Sequence, residues 1–393
     1  MSTKQKSQLR QLAMGGITGA IAGLMGYASI TYLVDKSVIK SLAHSDYAWE
    51  NPTKIAIILF AIWGAWVAHE LGHLISGLAQ GFKFHLFIVG LLGVRRNMET
   101  DDIEWFLNRD VNLAGGIAAT IPMRDEPNLR QKFALIVAMG PVVSLLGAIL
   151  GIGLSYAWLP QLETQGTALL RIALNFGFAF GAASLLLFAA TTIPGKTGTF
   201  FTDRARFFRL IGGGKAAEIE QAILTVLAKT MGGEPYSALD KSQLEAIASE
   251  DSTMFQIYAR NLLFRYYLDI NEPEAALRQI QLTEPLIADQ PALFKNELLK
   301  ELALAYALIA KDAEKAQDFM NQIKPALDKK PNAVAALIKS AIAVATGANE
   351  HARELARAGL KLLPESPTKS EDKQNKRLLE QLLKNPAPVE AFL

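Results

Sequence analysis

Long apolar segments fill the first half of the chain, and amphipathic segments fill the second half. Four stretches contain no charged side chain: residues 11–34, 55–68, 133–159 and 172–195. A helix needs roughly 20 apolar residues to cross a bilayer, and three of these stretches reach that length alone. The second reaches it only if its helix continues through His69, Glu70 and His73 to about Gln80. The pattern therefore predicts four membrane helices, one of which carries three ionisable side chains.

The N-terminal stretch admits a second interpretation. Lys4, Lys6 and Arg10 precede it, and a basic start followed by an apolar segment is typical of a cleavable signal peptide. A stretch of 24 uncharged residues is long for a signal peptide, however. We therefore favour a retained membrane helix.

The charged flanks predict the orientation of these helices. The first ten residues carry three basic side chains and no acidic one. The fourth stretch is followed by five basic residues with Asp203 as the only acid among them: Lys196, Arg204, Arg206, Arg209 and Lys215. Cytoplasmic flanks of membrane helices are enriched in Lys and Arg. Both termini and the connection 80–132 are therefore expected in the cytoplasm.

The connection between the second and third stretches contains a further apolar segment, residues 82–94. It is too short for a helical span. Its large apolar side chains alternate at Phe82, Phe84, Leu86 and Ile88, which favours a β-hairpin or a re-entrant element near the membrane surface.

The residues most indicative of chemistry form the pattern HExxH at His69, Glu70 and His73. On a helix, positions 69 and 73 lie one turn apart on one face, so both imidazoles can bind one Zn²⁺ and leave positions open for water and substrate. Glu70 is placed to take a proton from a metal-activated water. A chance HExxH on a solvated helix has no consequence, but ionisable groups inside an apolar span are costly and normally mark function.

A third protein ligand has to come from an acidic residue elsewhere. Asp203 is the best placed, because the glycine-containing segment before it, uncharged except for Lys196, can extend about 25 Å and bring it back to the membrane. Asp203 is equally suited to cap a helix that starts at Arg204, and both interpretations stay open at this point. Other acids are available: Glu99, Asp101, Asp102, Asp110 and Glu163.

Composition narrows the classes of function. Half of the 393 residues are hydrophobic and the mean hydropathy is +0.18, which is unusual for a soluble protein of this size. The chain has no Cys, which excludes disulfides, Cys-based metal sites and a Cys nucleophile. A net charge of +2 is too small to indicate a nucleic-acid partner.

The second half predicts amphipathic helices separated by short turns. Examples are residues 217–230, 252–268, 296–310, 313–327, 332–345 and 350–362. Residues 302–325 resemble a tetratricopeptide-type helix pair, and Ala276, Ala316 and Ala352 recur at spacings of 40 and 36. Such spacing favours an α-solenoid that docks a partner or a substrate tail. A plain helical bundle is the alternative.

The first 212 residues resemble the site-2 protease family of intramembrane metalloproteases. The resemblance rests on HELGH at 69–73, on the glycine-rich segment and Gly-Pro helix within 113–146, and on the segment 193–214. It implies a zinc site in which Asp203 is the third ligand, and cleavage of a membrane-embedded substrate helix near the cytosolic face. Two positions depart from the family pattern: Arg204 replaces the usual Gly after the Asp, and Ser144 replaces the Asn that often follows Gly-Pro.

The resemblance also suggests how a substrate is held. A substrate helix must unwind locally because a helical backbone hides its carbonyl groups. The edge of the 82–94 element is expected to pair with the unwound segment by strand addition. Alternatively, the hairpin only shields the site.

The resulting prediction is a mainly α protein. A transmembrane metalloprotease domain (1–212) has about four spans and a short membrane-associated β-hairpin, and a cytosolic tetratricopeptide-like helical domain (213–393) follows. The predicted function is zinc-dependent intramembrane proteolysis in the bacterial cytoplasmic membrane, with Glu70 as general base and His69, His73 and Asp203 as ligands. Its partners are a membrane-protein substrate, the lipid bilayer and a protein bound to the helical domain. The alternative function is a membrane-anchored scaffold with a structural or degenerate metal site.

Overall fold

The computed structural model describes most of the chain. The described residues are 40, 44–97, 101–109, 113, 115–193, 196–197, 200–290, 292–329, 331–364 and 368–386. The first predicted membrane helix, 11–34, lies outside them. Contacts divide the chain into two compact units, namely Met1–Thr120 with Arg130–Gly213, and Ile121–Leu129 with Gly214–Leu393.

Three helices of the first unit are long and apolar enough to cross a membrane, counted over the described residues. They are α1 (Glu50–Ala79), α2 (Leu129–Gln165) and α3 (Ala168–Thr192). They match the second, third and fourth predicted membrane helices. The helix α1 runs without interruption through the HExxH residues, as the sequence required.

Glycines allow close packing of these helices. A Cβ on Gly72 of α1 would lie 2.6 Å from the backbone oxygen of Met139 on α2. A Cβ on Gly151 of α2 would lie 2.8 Å from the Cα of Gly181 on α3. Small residues permit this approach of helix backbones, which is the common mode of helix association in membranes.

A buried ionic clasp joins the first turns of α1 and α3. The guanidinium of Arg171 donates to both carboxylate oxygens of Glu50, each at 2.9 Å, and also to Asp46 at 2.5 Å. Glu50 is fully buried, and a bidentate pair is the geometry that compensates a buried charge best. The clasp holds α1 and α3 parallel, with their N-terminal ends together.

An antiparallel sheet follows α1. Its strands are β1 (Lys83–Val89), β2 (Leu92–Arg96), β3 (Ile103–Leu107) and β4 (Ile117–Ile121), in the order β3-β2-β1-β4. The predicted hairpin is confirmed by the pairing of β1 with β2, in which Leu86 lies opposite Arg95. The expectation that this hairpin offers a free edge is wrong, because β4 and β3 cover its two sides. Among the described residues, the edge strands of this sheet are β3 and β4.

The chain turns back after α3. Lys196 pairs with Phe201 and Thr197 with Phe200, which forms the short strands β5 (Lys196–Thr197) and β6 (Phe200–Phe201). The helix α4 (Asp203–Ile211) begins directly afterwards. The hydroxyl of Thr202 donates to the carbonyl of Ile193 at 2.9 Å, which holds the start of α4 against the end of α3.

The second unit is helical. Its helices are α5 (Lys215–Met231), α6 (Lys241–Ala248), α7 (Thr253–Asp269), α8 (Pro273–Gln281), α9 (Ala292–Leu308), α10 (Ala313–Gln322), α11 (Ala333–Ala345), α12 (Asn349–Leu362) and α13 (Ser370–Lys384). The six predicted helices correspond to α5, α7, α9, α10, α11 and α12. No separate bounds were predicted for α6, α8 and α13.

The helix pairs α7–α8, α9–α10 and α11–α12 share one turn geometry. Each turn contains a residue with positive φ two positions before the second helix: Asn271 (59°), Lys311 (58°) and Gly347 (77°). The fourth residue of each second helix is a fully buried alanine, at Ala276, Ala316 and Ala352. The recurrent alanines therefore occupy equivalent places in three successive helix pairs.

Candidate metal centre

The helix α1 places the two histidines of the HExxH pattern side by side. Both His69 and His73 are buried, their ring centroids lie 5.0 Å apart, and their planes are nearly perpendicular. One helical turn separates the residues, so their imidazoles extend from the same face of the helix. The two side chains form half of a binding site before any other element contributes.

Asp203 completes this group. Its Oδ2 lies 3.2 Å from Nε2 of His69, and its Oδ1 lies 3.5 Å from Nε2 of His73. Asp203 is the first residue of α4, and its side chain faces the imidazoles, which argues against the helix-capping interpretation. Within the described residues, these three side chains are the group whose ligand atoms converge closely enough to hold a metal ion.

The ligand atoms of the three residues all lie within 4.8 Å of one another. Bonds of about 2.0–2.1 Å at tetrahedral angles separate ligand atoms by roughly 3.3 Å. Two of the separations, from Oδ2 of Asp203 to Nε2 of His69 and from Oδ1 of Asp203 to Nε2 of His73, are 3.2 and 3.5 Å. The Oδ2 atom of Asp203 is buried and has no hydrogen-bond partner. Since an unsatisfied buried carboxylate oxygen is costly, a cation between these atoms accounts for the arrangement.

The helix α2 holds the far side of both rings. Nδ1 of His69 lies 2.8 Å from Oγ of Ser144, and Nδ1 of His73 lies 2.8 Å from the backbone oxygen of Ile136. With each Nδ1 engaged by α2, each Nε2 is left to face Asp203. Metal-ligating histidines are normally oriented by such partners on the second ring nitrogen.

Comparison with known proteins matches most of the chain to one family. The model of peptidase family M50 matches residues 55–358. The chain belongs to peptidase family M50. This family membership supports an intramembrane metalloprotease, and the three apolar helices agree with a membrane protein. No curated protein and no solved structure matches the chain.

In this M50 protein, Glu70 is held by the glycine-rich segment before β4. Gly116 has φ +103°, and a Cβ there would lie 2.3 Å from Oε1 of Glu70. The backbone N–H of Ala118 in β4 donates a hydrogen bond to the same carboxylate. The backbone therefore approaches Glu70 more closely than any residue with a side chain at 116 allows.

Gly140 of α2 leaves room for the ring of His73. A Cβ at this position would lie 2.2 Å from Nε2 of His73, within the space of the ring itself. Gly140 stands between Ile136 and Ser144 at intervals of four residues, so these three positions share one face of α2. The Gly140-Pro141 motif is recognisable in the sequence, but no role at the site was predicted for either residue.

Two of the other acids considered from the sequence, Asp101 and Asp102, lie outside the converging group. Asp101 pairs with Lys83 at 2.7 Å and with Arg96 at 3.2 Å. Asp102 is exposed and is not a member of the converging group. Glu99, Asp110 and the side chain of Glu163 lie outside what the structure describes.

An apolar groove runs beside the histidines, between α1 and α2. Its volume is about 520 Å³, and its walls are small and aliphatic side chains. The lining residues are Ala68, Leu71, Gly72, Ile75, Ser76, Ala79, Leu135, Met139 and Val143. Its lining residues on α1 flank His69 and His73 in the chain, but neither histidine lines the groove.

Proposed function

We propose that this protein is a zinc-dependent endopeptidase that hydrolyses a peptide bond in a membrane-embedded substrate helix near the cytosolic face. The observation that carries the proposal is the convergence of His69, His73 and Asp203 on one point, with Glu70 adjacent on an otherwise apolar helix. Ionisable residues of this kind inside a membrane span are functional by default.

Each side chain has a distinct role in the proposed reaction. Zinc bound by these residues would supply a nucleophile at neutral pH, since it lowers the pKa of bound water to about 7. His69, His73 and Asp203 supply the ligands. Glu70 accepts the proton of the attacking water and delivers it to the leaving amine. The Ala118 N–H fixes the carboxylate of Glu70 in the orientation that this transfer needs.

The substrate must present an extended backbone to this site, because a helical backbone hides its carbonyl groups. The strand β4 is an edge of the sheet, and its Ala118 bonds to Glu70, so its unpaired side lies close to the chemistry. Addition of the unwound substrate segment to β4 would hold a peptide bond beside Glu70. The apolar groove between α1 and α2 suits the part of the substrate that stays helical.

The helical unit is proposed to dock the cytosolic tail of a substrate or a regulatory protein. What supports this is the recurrence of one turn geometry and one buried alanine in three helix pairs, as in stacked tetratricopeptide-like repeats. The arginine-rich start of α4 favours a cytosolic location for Asp203 and for the helical unit that follows. Regulated intramembrane proteolysis in a bacterial cytoplasmic membrane is the setting that agrees with this organisation.

The alternative is a membrane-anchored scaffold with a structural or degenerate metal site. A structural zinc site is closed by four protein ligands, whereas the converging group within the described residues has three. A catalytic zinc site keeps its fourth ligand position open for water or substrate. Glu70, the proposed general base, directly follows the ligand His69 in the chain. The composition of the site therefore favours the protease.

The test uses the full-length protein in detergent or proteoliposomes, with zinc content and cleavage of single-span membrane proteins as readouts. Glu70→Gln is expected to retain zinc and to lose about 10²–10⁴-fold in cleavage rate. His73→Ala is expected to lose zinc, while His85→Ala, a histidine outside the converging group, keeps it. Cleavage by Glu70→Gln at the wild-type rate would show that the proposed general base is wrong.

A further inference from the structure

Ser144 is a buried hydroxyl in the middle of an apolar membrane helix. Its exposed fraction is 2 %, and its Oγ lies 2.8 Å from Nδ1 of His69. A buried hydroxyl in an apolar span is costly unless it is hydrogen-bonded. The contact with His69 therefore both satisfies Ser144 and engages the ring nitrogen that does not face Asp203.

The two histidines have different partners on Nδ1. His73 faces the backbone oxygen of Ile136, which can only accept a hydrogen bond. This partner requires the proton of a neutral His73 ring on Nδ1 and leaves the lone pair on Nε2, where it faces Asp203. The Ser144 hydroxyl can accept or donate, so it is compatible with either tautomer of His69 and must act as an acceptor when Nε2 of His69 binds a cation.

The helix α2 presents these two partners as one surface. Ile136, Gly140 and Ser144 follow each other at intervals of four residues, so they lie on the same helical face, spread over about 12 Å. Gly140 makes space for Nε2 of His73. Ile136, four residues before it, contacts Nδ1 of His73, and Ser144, four residues after it, contacts Nδ1 of His69. The backbone anchors His73, and a replaceable side chain anchors His69.

We propose that the Ser144 hydroxyl is the acceptor that orients His69 for metal binding, which makes Ser144 a positioning residue of the metal centre. The proposal rests on the proposed function, since it assumes that His69, His73 and Asp203 hold zinc. It assigns a role to the position at which the chain departs from the Asn of its relatives. The hydroxyl acts through His69 and does not contact the substrate.

The test measures zinc affinity by chelator competition on the full-length protein in detergent. Ser144→Ala is expected to bind zinc about 10–100-fold more weakly, which is the usual loss when a partner of a ligating histidine is removed. The control is Ser155→Ala on the same helix, where a buried hydroxyl donates to the carbonyl of Gly151 at 2.7 Å. Ser155→Ala is expected to leave zinc affinity unchanged.

A pair of isosteric variants separates the hydroxyl from the packing. Ser144→Thr keeps the hydroxyl, and Ser144→Val has the shape of the threonine variant without the hydroxyl. Only the valine variant is therefore expected to show the 10–100-fold loss of zinc affinity. This pair also decides the question if Ser144→Ala fails to fold. Equal zinc affinity of the threonine and valine variants would overturn the proposal. A wild-type protein that binds no zinc would instead overturn the proposed function on which it rests.

Discussion

The two units of the chain each bury a polar cluster, and the clusters differ in how their atoms are paired. In the helical unit, Arg265 donates to Glu301 at 2.7 Å, to Asn375 at 2.9 Å and to Gln374 at 3.0 Å. In the membrane unit, two imidazole nitrogens and a carboxylate face one another across 3.2–3.5 Å, and Oδ2 of Asp203 has no hydrogen-bond partner. In the first cluster a donor meets acceptors of the chain, although Nε of Arg265, Oε2 of Glu301 and Nδ2 of Asn375 have no partner among the described residues. The second brings ring nitrogens and a carboxylate together in a group that could hold a metal ion.

The electrostatics of the helical cluster follow from the same contrast. Burial by itself lowers the pKa of the Arg265 guanidinium, but the carboxylates of Glu301 and Glu371 reverse this effect and raise the pKa above its ordinary value. Donors meet acceptors directly there, as in a cluster that serves the stability of the fold. A buried set of converging acceptors and ring nitrogens indicates a ligand site instead.

Removal of the charge at the centre of the helical cluster is expected to have the largest effect on stability. Arg265→Met leaves Glu301 buried and unpaired, so the free energy of unfolding is expected to fall by about 3–5 kcal/mol. Chemical denaturation of the full-length protein measures it. The exposed pair Arg278–Glu274 is the matched control, and Arg278→Met is expected to cost less than about 1 kcal/mol. A similar cost for both variants would show that the Arg265 cluster is not structural, while zinc content is expected to stay at the wild-type level in both.

Metal removal is expected to act on the other unit alone. An ion at 1,000 times its dissociation constant stabilises the form that binds it by about 4.1 kcal/mol. Chelation is therefore expected to increase hydrogen exchange at α1, α2 and the start of α4, and to leave the exchange of α7, α9 and α13 unchanged. Uniform changes over both units would contradict the assignment of the metal to His69, His73 and Asp203.

A methyl group at Gly140 is expected to disturb the metal centre directly. The added Cβ of Gly140→Ala overlaps Nε2 of His73, whose ring cannot simply move because Ile136 holds it from the other side. Zinc affinity is expected to fall by about 100-fold, which is the upper end of the losses seen when a ligand is disoriented. Gly153→Ala on the same helix has open space around its Cβ and serves as the control. Zinc binding by Gly140→Ala at wild-type affinity would be incompatible with the geometry described.

The smallest expected effect on binding comes from Gly116, although its effect on catalysis is large. Gly116→Ala displaces the carboxylate of Glu70 and strains a backbone at φ +103°, so cleavage is expected to fall about 100-fold while zinc affinity stays unchanged. Gly115→Ala, in open space one residue earlier, is expected to retain activity. Equal activities of the two variants would remove the assigned role of Gly116.

The sequence predicted the parts of the centre that depend on local periodicity. The one-turn spacing of His69 and His73 and the apolar length of α1 are both readable from the chain, and the structure has both. The position of Asp203 was left open between ligand and cap, because it depends on the β5–β6 turn and on how α4 starts. Neither feature has a strong local signal.

The remaining contributions come from tertiary contacts that no single segment encodes. Ser144 contacts a residue 75 positions away, and Gly116 contacts one on a different element altogether. The hairpin at 82–94 was predicted from its alternation, but its neighbours were not. β3 lies in a stretch that reads as polar, and β4 lies in one that reads as glycine-rich, so the covered edges of the hairpin could not be foreseen.

The clasp between Glu50 and Arg171 sets the position of α1 and α3 relative to each other along their axes. His69 and His73 lie 19 and 23 residues beyond Glu50, and Thr192 at the end of α3 lies 21 residues beyond Arg171. Because both helices rise 1.5 Å per residue, His69, His73 and Thr192 all lie about 30 Å along their helices from the ion pair. The ion pair aligns the N-terminal ends of α1 and α3, and the two helices extend over similar lengths from there. The chain therefore leaves α3 at about the level of the imidazoles, and Asp203 lies beside them.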